Sequence, residues 1–183
     1  YDDDPPWPAE ARGAGYALQL IDANQDNNRL ANWTAARRWR RLTATGVANG
    51  SSIQLQLNGV IGSVLLDDVM LVAGSTPGVG SNLISNGDFE GSFPGAWQVP
   101  GDYAQSHVIG DAGRNGGRVL ELTASAANTN GLVQLNVPVV NGQTYSLSAW
   151  YLPASTGGTF TVRMTNNWAT LTDTAARPIG AAT

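Results

Sequence analysis

Two features of the sequence predict an all-β fold, an antiparallel β-sandwich or jelly roll. First, apolar and polar residues alternate within short segments, as in Ser51–Gly59, where Ile53, Leu55 and Leu57 alternate with Gln54, Gln56 and Asn58. Second, turn residues separate the segments: Gly occurs 22 times, often directly after Asn. No segment shows the 3.6-residue periodicity of an amphipathic helix. The pattern is therefore typical of short strands joined by tight turns.

The same alternation places each strand in order along the chain. Asp67 and Asp68 interrupt the most apolar of these segments near its middle. The predicted strands are Tyr16–Ile21, Arg40–Val47, Ser51–Gly59, Ser63–Val72, Arg118–Ser125, Gly131–Val139, Thr144–Leu152 and Thr159–Asn166.

The composition excludes several classes of function. A net charge of −4 disfavours a general nucleic-acid binder, and no apolar run is long enough to span a membrane. Cys and Lys are both absent, which excludes disulfides, thiolate chemistry, a Lys Schiff base and a P-loop. The basic cluster Ala36–Arg41 has two interpretations, a phosphate- or RNA-binding stripe and a solvated strand face, and the second is favoured.

Three segments of the sequence carry the most specific motifs. "NLISNGDFEGSFPGAWQV" (Asn82–Val99) resembles the opening of the carbohydrate-binding-module-like, galactose-binding-like jelly rolls of bacterial secreted surface proteins. "GQTYSLSAWYL" (Gly142–Leu152) resembles their middle strand, and "LLDDVMLV" (Leu65–Val72) their closing strand. The resemblance implies a β-sandwich in an extracellular or cell-surface protein. In the sequence, the segment that resembles the closing strand (Leu65–Val72) therefore precedes the segment that resembles the opening (Asn82–Val99).

The N-terminal segment shows a second resemblance. "YDDDPPWPAEARGAGYALQLID" (Tyr1–Asp22) is similar to the end of bacterial lamin-tail domains. We therefore expect two β modules: a lamin-tail-like remnant with an incomplete sandwich over residues 1–73, and a jelly-roll module over residues 82–183. A short linker, residues 74–81, is expected between them, and the chain is expected to be a piece of a tandem array.

Two hypotheses about function follow from this order. In the first, the closing strand Leu65–Val72 completes the opening half of the next copy, so that the protein assembles with itself, head to tail, into a surface filament or array. In the alternative, the protein is a carbohydrate-binding module that docks polysaccharide. Both describe a non-catalytic structural or binding protein rather than an enzyme.

No catalytic residue is predicted. Ser106 and His107 are neighbours on a strand and point to opposite faces, and no nucleophile elbow is present. Asp88 and Glu90 share a strand face at a spacing that permits glycoside hydrolysis. The family resemblance, however, gives Glu90 a structural role.

Candidate binding residues are of two kinds. Trp97, Tyr103 and Trp168 lie in loop-like polar surroundings, where an aromatic ring stacks on a sugar or joins an interface. The resemblance implies a structural calcium held by Glu90 and Asp68, whose oxygen atoms suit that ion. The other interpretation remains open, in which Asp68 ends strand pairing and Glu90 makes hydrogen bonds.

Overall fold

The computed structural model describes residues 16–37, 39–49, 53–58, 62–126, 131–153, 159–164 and 170–173. Within these residues the protein is all-β, with two short 3-10 helices at Leu30–Asn32 and Gly101–Tyr103. The strands are β1 (Tyr16–Leu20), β2 (Trp33–Arg37), β3 (Arg40–Val47), β4 (Ile53–Asn58), β5 (Gly62–Ala73), β6 (His107–Ile109), β7 (Val119–Ala124), β8 (Leu132–Gln134), β9 (Thr144–Pro153), β10 (Thr159–Met164) and β11 (Thr170–Asp173).

Two antiparallel sheets form the sandwich. One has five strands in the order β3-β9-β5-β7-β6, and the other has four in the order β11-β10-β4-β8. A single buried cluster contains Leu132 and Val162 from the four-stranded sheet together with Leu66, Leu120 and Leu147 from the five-stranded sheet. The two sheets therefore enclose one core, and the predicted β-sandwich is confirmed. Strands β1 and β2 pair only with each other among the described strands.

Strand β5 lies in the middle of the five-stranded sheet. It pairs with β7 on one side and with β9 on the other, both antiparallel. In the second sheet β4 likewise lies between β8 and β10. Each sheet thus contains strands from before and after residues 74–81, so the expected arrangement of two modules is not confirmed.

The opening motif docks directly on β5. The Asn82 side chain accepts a hydrogen bond from the Leu71 N–H (3.0 Å) and donates one to the Val69 carbonyl (2.9 Å). The Val69 N–H in turn donates to the Gly87 carbonyl at 2.8 Å. A Cβ atom at Gly87 would overlap the Val69 carbonyl, so only glycine permits this approach. The segments that resemble a closing and an opening strand therefore meet within one chain.

This pairing bears on the hypothesis of strand exchange between copies. An exposed strand edge needs a partner, and that need motivated the hypothesis. Both edges of β5 are paired within its own chain. Pairing with β7 ends at Leu66, and beyond it the opening motif of the same chain takes the hydrogen bonds of Val69 and Leu71, so β5 offers no free edge there to a second copy.

A bulge interrupts β5 at its two acidic residues, and the strand continues beyond it. The register with β9 shifts between Asp67 and Met70, and Asp68 has a φ of 49°. Asp tolerates this left-handed conformation better than β-branched residues do. The two acidic residues therefore mark a bulge inside a continuous strand.

Residues 74–81 pack against the outer face of the five-stranded sheet. The Ser146 hydroxyl donates to the Gly74 carbonyl at 2.7 Å, and the Arg41 guanidinium donates to the Pro77 carbonyl at 3.0 Å. The Thr45 hydroxyl lies 3.5 Å from the Ser75 carbonyl. These bonds hold the connection to β3 and β9.

The structure differs from the predicted strands in a few places. The segment predicted over Gly131–Val139 pairs only at Leu132–Gln134, because Asn136 is left-handed (φ 58°) and Pro138 has no N–H for a ladder. Strands β2 and β11 were not predicted. The strand expected at Ser106 and His107 corresponds to β6, which begins at His107. Residues 1–15, which contain most of the lamin-tail-like motif, and residues 174–183 lie outside the described part of the chain.

We expect Leu71→Ala to lower the free energy of unfolding by about 2–5 kcal/mol, since a fully buried side chain of β5 is truncated. Chemical denaturation followed by Trp fluorescence should show one cooperative transition whose midpoint shifts. Val79→Ala is the control, because Val79 is 64% exposed. Its effect should stay within about 0.5 kcal/mol. Two separate transitions, only one of them shifted, would contradict the shared core.

Candidate functional site

Two of the three aromatic residues predicted as a binding surface lie in the core. Trp97 is 2% exposed, and Tyr103 is fully buried. The ring of Trp97 packs against Phe89 with 6.0 Å between ring centroids, and its indole N–H donates to the Asn86 carbonyl. Neither ring can stack on a sugar from this position. Trp168 lies outside the described residues.

A cavity of about 500 Å³ opens beside β6, the edge strand of the five-stranded sheet. Phe93, Val99 and Val108 form its apolar wall and also pack against the core cluster. His107 and Arg118 supply polar groups to the same cavity. Its volume falls within the range of about 300–1,000 Å³ typical of small-molecule sites. A mostly apolar lining with a few polar groups is also typical of such sites.

Glu90 fixes the position of Arg118. The Glu90 carboxylate accepts a hydrogen bond from the Arg118 backbone N–H at 2.7 Å. The Arg118 guanidinium donates through Nη1 to the carbonyls of Glu90 (3.0 Å) and Gly91 (2.9 Å). A Cβ atom on Gly117 would overlap the Glu90 carboxylate, so the contact requires glycine there. The opening motif and the start of β7 thus hold one guanidinium at the cavity.

His107 and Ser106 have separate environments, as expected for neighbours on a strand. The His107 side chain is 61% exposed, and its Nε2 lies 3.7 Å from a Glu121 carboxylate oxygen. The Ser106 hydroxyl is buried and accepts a hydrogen bond from the Thr123 N–H at 3.0 Å. The hydroxyl therefore serves the pairing of the chain with β7, and the imidazole remains accessible at the cavity.

Asp67 and Asp68, the acidic residues of the bulge, both contact Arg114. Asp68 forms an ion pair with Arg114 at 2.7 Å. Asp67 is buried, and it accepts hydrogen bonds from the backbone N–H groups of Arg114 (2.9 Å) and Asp68 (2.8 Å). Burial raises the pKa of Asp67 above its ordinary value, and the Asp68 charge acts in the same direction. The N–H donors and the Arg114 charge oppose this rise in pKa.

The expected calcium ligands do not converge in the described residues. Glu90 lies against Gly117 and Arg118, whereas Asp68 lines a smaller cavity of about 330 Å³ together with Asn82, among others. The part of the chain that the structure describes contains no group of three or more Asp, Glu or His residues placed to hold a metal ion. Calcium held by Glu90 and Asp68 therefore stays a prediction from the resemblance.

Trp150 is an aromatic residue in the C-terminal half of β9. It alternates with the buried Tyr151 on β9 and is half-buried on the outer face of the sheet. The guanidinium carbons of Arg114 and Arg41 lie 4.7 Å and 5.9 Å from its ring centroid. One arginine of the basic cluster Ala36–Arg41 is thus bound to a Trp ring and a loop carbonyl.

Together, these features describe a β-sandwich in which the cavity beside β6 combines an apolar wall with a few fixed polar groups. The protein belongs to a family described as "Carbohydrate binding domain", whose model matches residues 81–178, more than half of the chain. No curated protein and no solved structure gives a significant match. The resemblance of Asn82–Val99 to carbohydrate-binding modules is therefore confirmed. The lamin-tail-like resemblance of the N-terminal segment is not shown.

We expect the raised pKa of Asp67 to appear in the pH dependence of stability. Because the folded state binds this proton more tightly, the stabilisation is fully present below the unfolded pKa of about 3.9 and is lost as pH rises through the folded pKa. Asp67→Asn cannot titrate. The stability of the wild type relative to this variant should therefore fall as pH rises.

Urea unfolding from about pH 3 to about pH 7 measures that difference. Asp111→Asn removes one exposed carboxylate and controls for the change in net charge. A constant difference between the wild type and Asp67→Asn across this range would contradict the assignment.

Proposed function

We propose that the protein binds polysaccharide without catalysing a reaction on it, and that a sugar ring binds in the cavity lined by Phe93 and Arg118. Membership in the carbohydrate binding domain family carries this proposal. The cavity supports it, because among the described residues it joins an aromatic wall to fixed hydrogen-bond donors. The core positions of Trp97 and Tyr103 favour this place over the aromatic residues expected from the sequence.

The chemistry of the lining matches a sugar. The C–H face of a pyranose ring is apolar and packs well against an aromatic ring such as Phe93. The hydroxyl groups of the sugar accept hydrogen bonds from the Arg118 guanidinium. With the His107 imidazole they act as donor or acceptor, because each ring nitrogen takes either role. Since Nη1 of Arg118 is already bound to two carbonyls, its position changes little on binding.

The site of action proposed here is extracellular or at the cell surface, where polysaccharide is available. No helix in the described part of the chain is long and apolar enough to cross a membrane. The alternative role, head-to-tail assembly into a filament, has no observation in its favour, since β5 is paired on both sides within its own chain.

Affinity electrophoresis against a panel of neutral and acidic polysaccharides tests the proposal. We expect the wild type to be retarded by at least one polymer. Phe93→Leu should weaken that retardation by about three- to tenfold, because it keeps an apolar side chain but removes the stacking face.

Val79→Ala, on the exposed connection, is the matched control and should bind as the wild type does. The unfolding midpoint of Phe93→Leu must stay close to that of the wild type for the comparison to hold. Absence of retardation on every polymer would overturn the proposed function. Unchanged binding by a folded Phe93→Leu would move the site elsewhere on the protein.

A further inference from the structure

We infer that the cavity beside β6 selects acidic saccharides, and that Arg118 binds the carboxylate of a uronic acid residue. The inference rests on the proposed function and names its substrate class. Both Arg118 guanidinium bonds in the structure leave from Nη1 and end on the carbonyls of Glu90 and Gly91.

The opposite edge of the guanidinium has donors to spare. An arginine side chain has five N–H groups in a planar fork. Nη1 uses its two on main-chain carbonyls, and Nε and Nη2 form no hydrogen bond with any residue that the structure describes. The Nε–Nη2 edge is one that binds a carboxylate through two parallel hydrogen bonds. The donors that remain therefore suit a carboxylate better than a single hydroxyl.

The charge of Arg118 is also uncompensated by side chains. In the described ranges, it forms no ion pair with an Asp or Glu, although the protein has a net charge of −4. The described residues that line the cavity include no carboxylate. Because Arg118 is half-buried, an anion that reaches it gains more from pairing than it would at an open surface.

The Glu90 carboxylate does not satisfy this charge. Its Oε1 accepts the Arg118 backbone N–H, and the carboxylate packs against Gly117. Glu90 therefore positions the arginine through the main chain, while the guanidinium reaches back to the carbonyls of residues 90 and 91. This arrangement fixes a cation and leaves one of its binding edges unused.

The rest of the cavity specifies what bears the carboxylate. Phe93, Val99 and Val108 give an apolar wall next to the guanidinium. A free inorganic anion has no group to bury against that wall, whereas a uronic acid presents a pyranose ring and a carboxylate together. A sugar acid therefore fits both halves of the site.

The test uses pairs of polymers that differ only in the acidic group. Polygalacturonate and a glucuronoxylan are each compared with the same polymer after chemical reduction of its carboxyl groups to alcohols. We expect the wild type to bind at least one acidic polymer about tenfold more tightly than its reduced form in affinity electrophoresis. Arg118→Gln should remove that preference and bring the two affinities together.

Matched variants separate charge from geometry. Arg29→Gln removes the same charge from an exposed position that does not line the cavity, and it should keep the preference. Arg118→Lys keeps the charge but lacks the planar fork, so most of the preference should be lost. Arg118→Lys also replaces Arg118→Gln as the test if that variant does not fold. Phe93→Leu should weaken binding to the acidic and reduced polymers by the same factor.

The outcomes distinguish this inference from the proposed function. Binding to a neutral or reduced polymer without any preference for acidic forms would overturn the inference and leave the proposed function intact. A preference for acidic polymers that survives in folded Arg118→Gln would also overturn it. Equal preference for the sulfated derivative of an otherwise neutral polysaccharide would do the same. Binding to no polymer, neutral or acidic, would remove the proposed function itself.

Discussion

The central position of β5 is the constraint on which the rest of the structure depends. Its backbone pairs with β7 and β9, and beyond the bulge its Val69 and Leu71 bind the opening motif through Asn82 and Gly87. Its side chains Leu66, Val69 and Leu71 lie in the core shared by both sheets. A central strand supplies two ladders and two faces at once, so its loss would expose more backbone and apolar surface than the loss of an edge strand.

The candidate site depends indirectly on the contact between β5 and the opening motif. Docking on β5 fixes the opening motif, and the motif continues to Glu90, which holds Arg118 through its backbone N–H. Phe93 follows three residues later and forms the cavity wall. The guanidinium and the aromatic wall are therefore both positioned by one short segment. Such positioning lowers the entropy that a binding site loses when it orders around a ligand.

The family match and the sandwich do not cover the same residues. The match spans residues 81–178, whereas the sandwich also includes β3, β4 and β5, which precede it. Each of these strands pairs antiparallel with a strand inside the matched range. The folding unit thus reaches back at least to Arg40 within the described residues. A fragment prepared to study the domain alone should therefore start before Arg40, so that it includes β3.

The sequence by itself determined the all-β class, most strands, and the resemblance of Asn82–Val99 to carbohydrate-binding modules. These features are local, because alternation, turn residues and motifs are visible over a few residues. Only the tertiary structure decided which strands share a sheet, since strand pairing joins residues distant in sequence. It also decided that Trp97 is buried while Phe93 lines a cavity: both lie in polar, turn-rich sequence, and only packing distinguishes a loop ring that enters the core from one left at its surface.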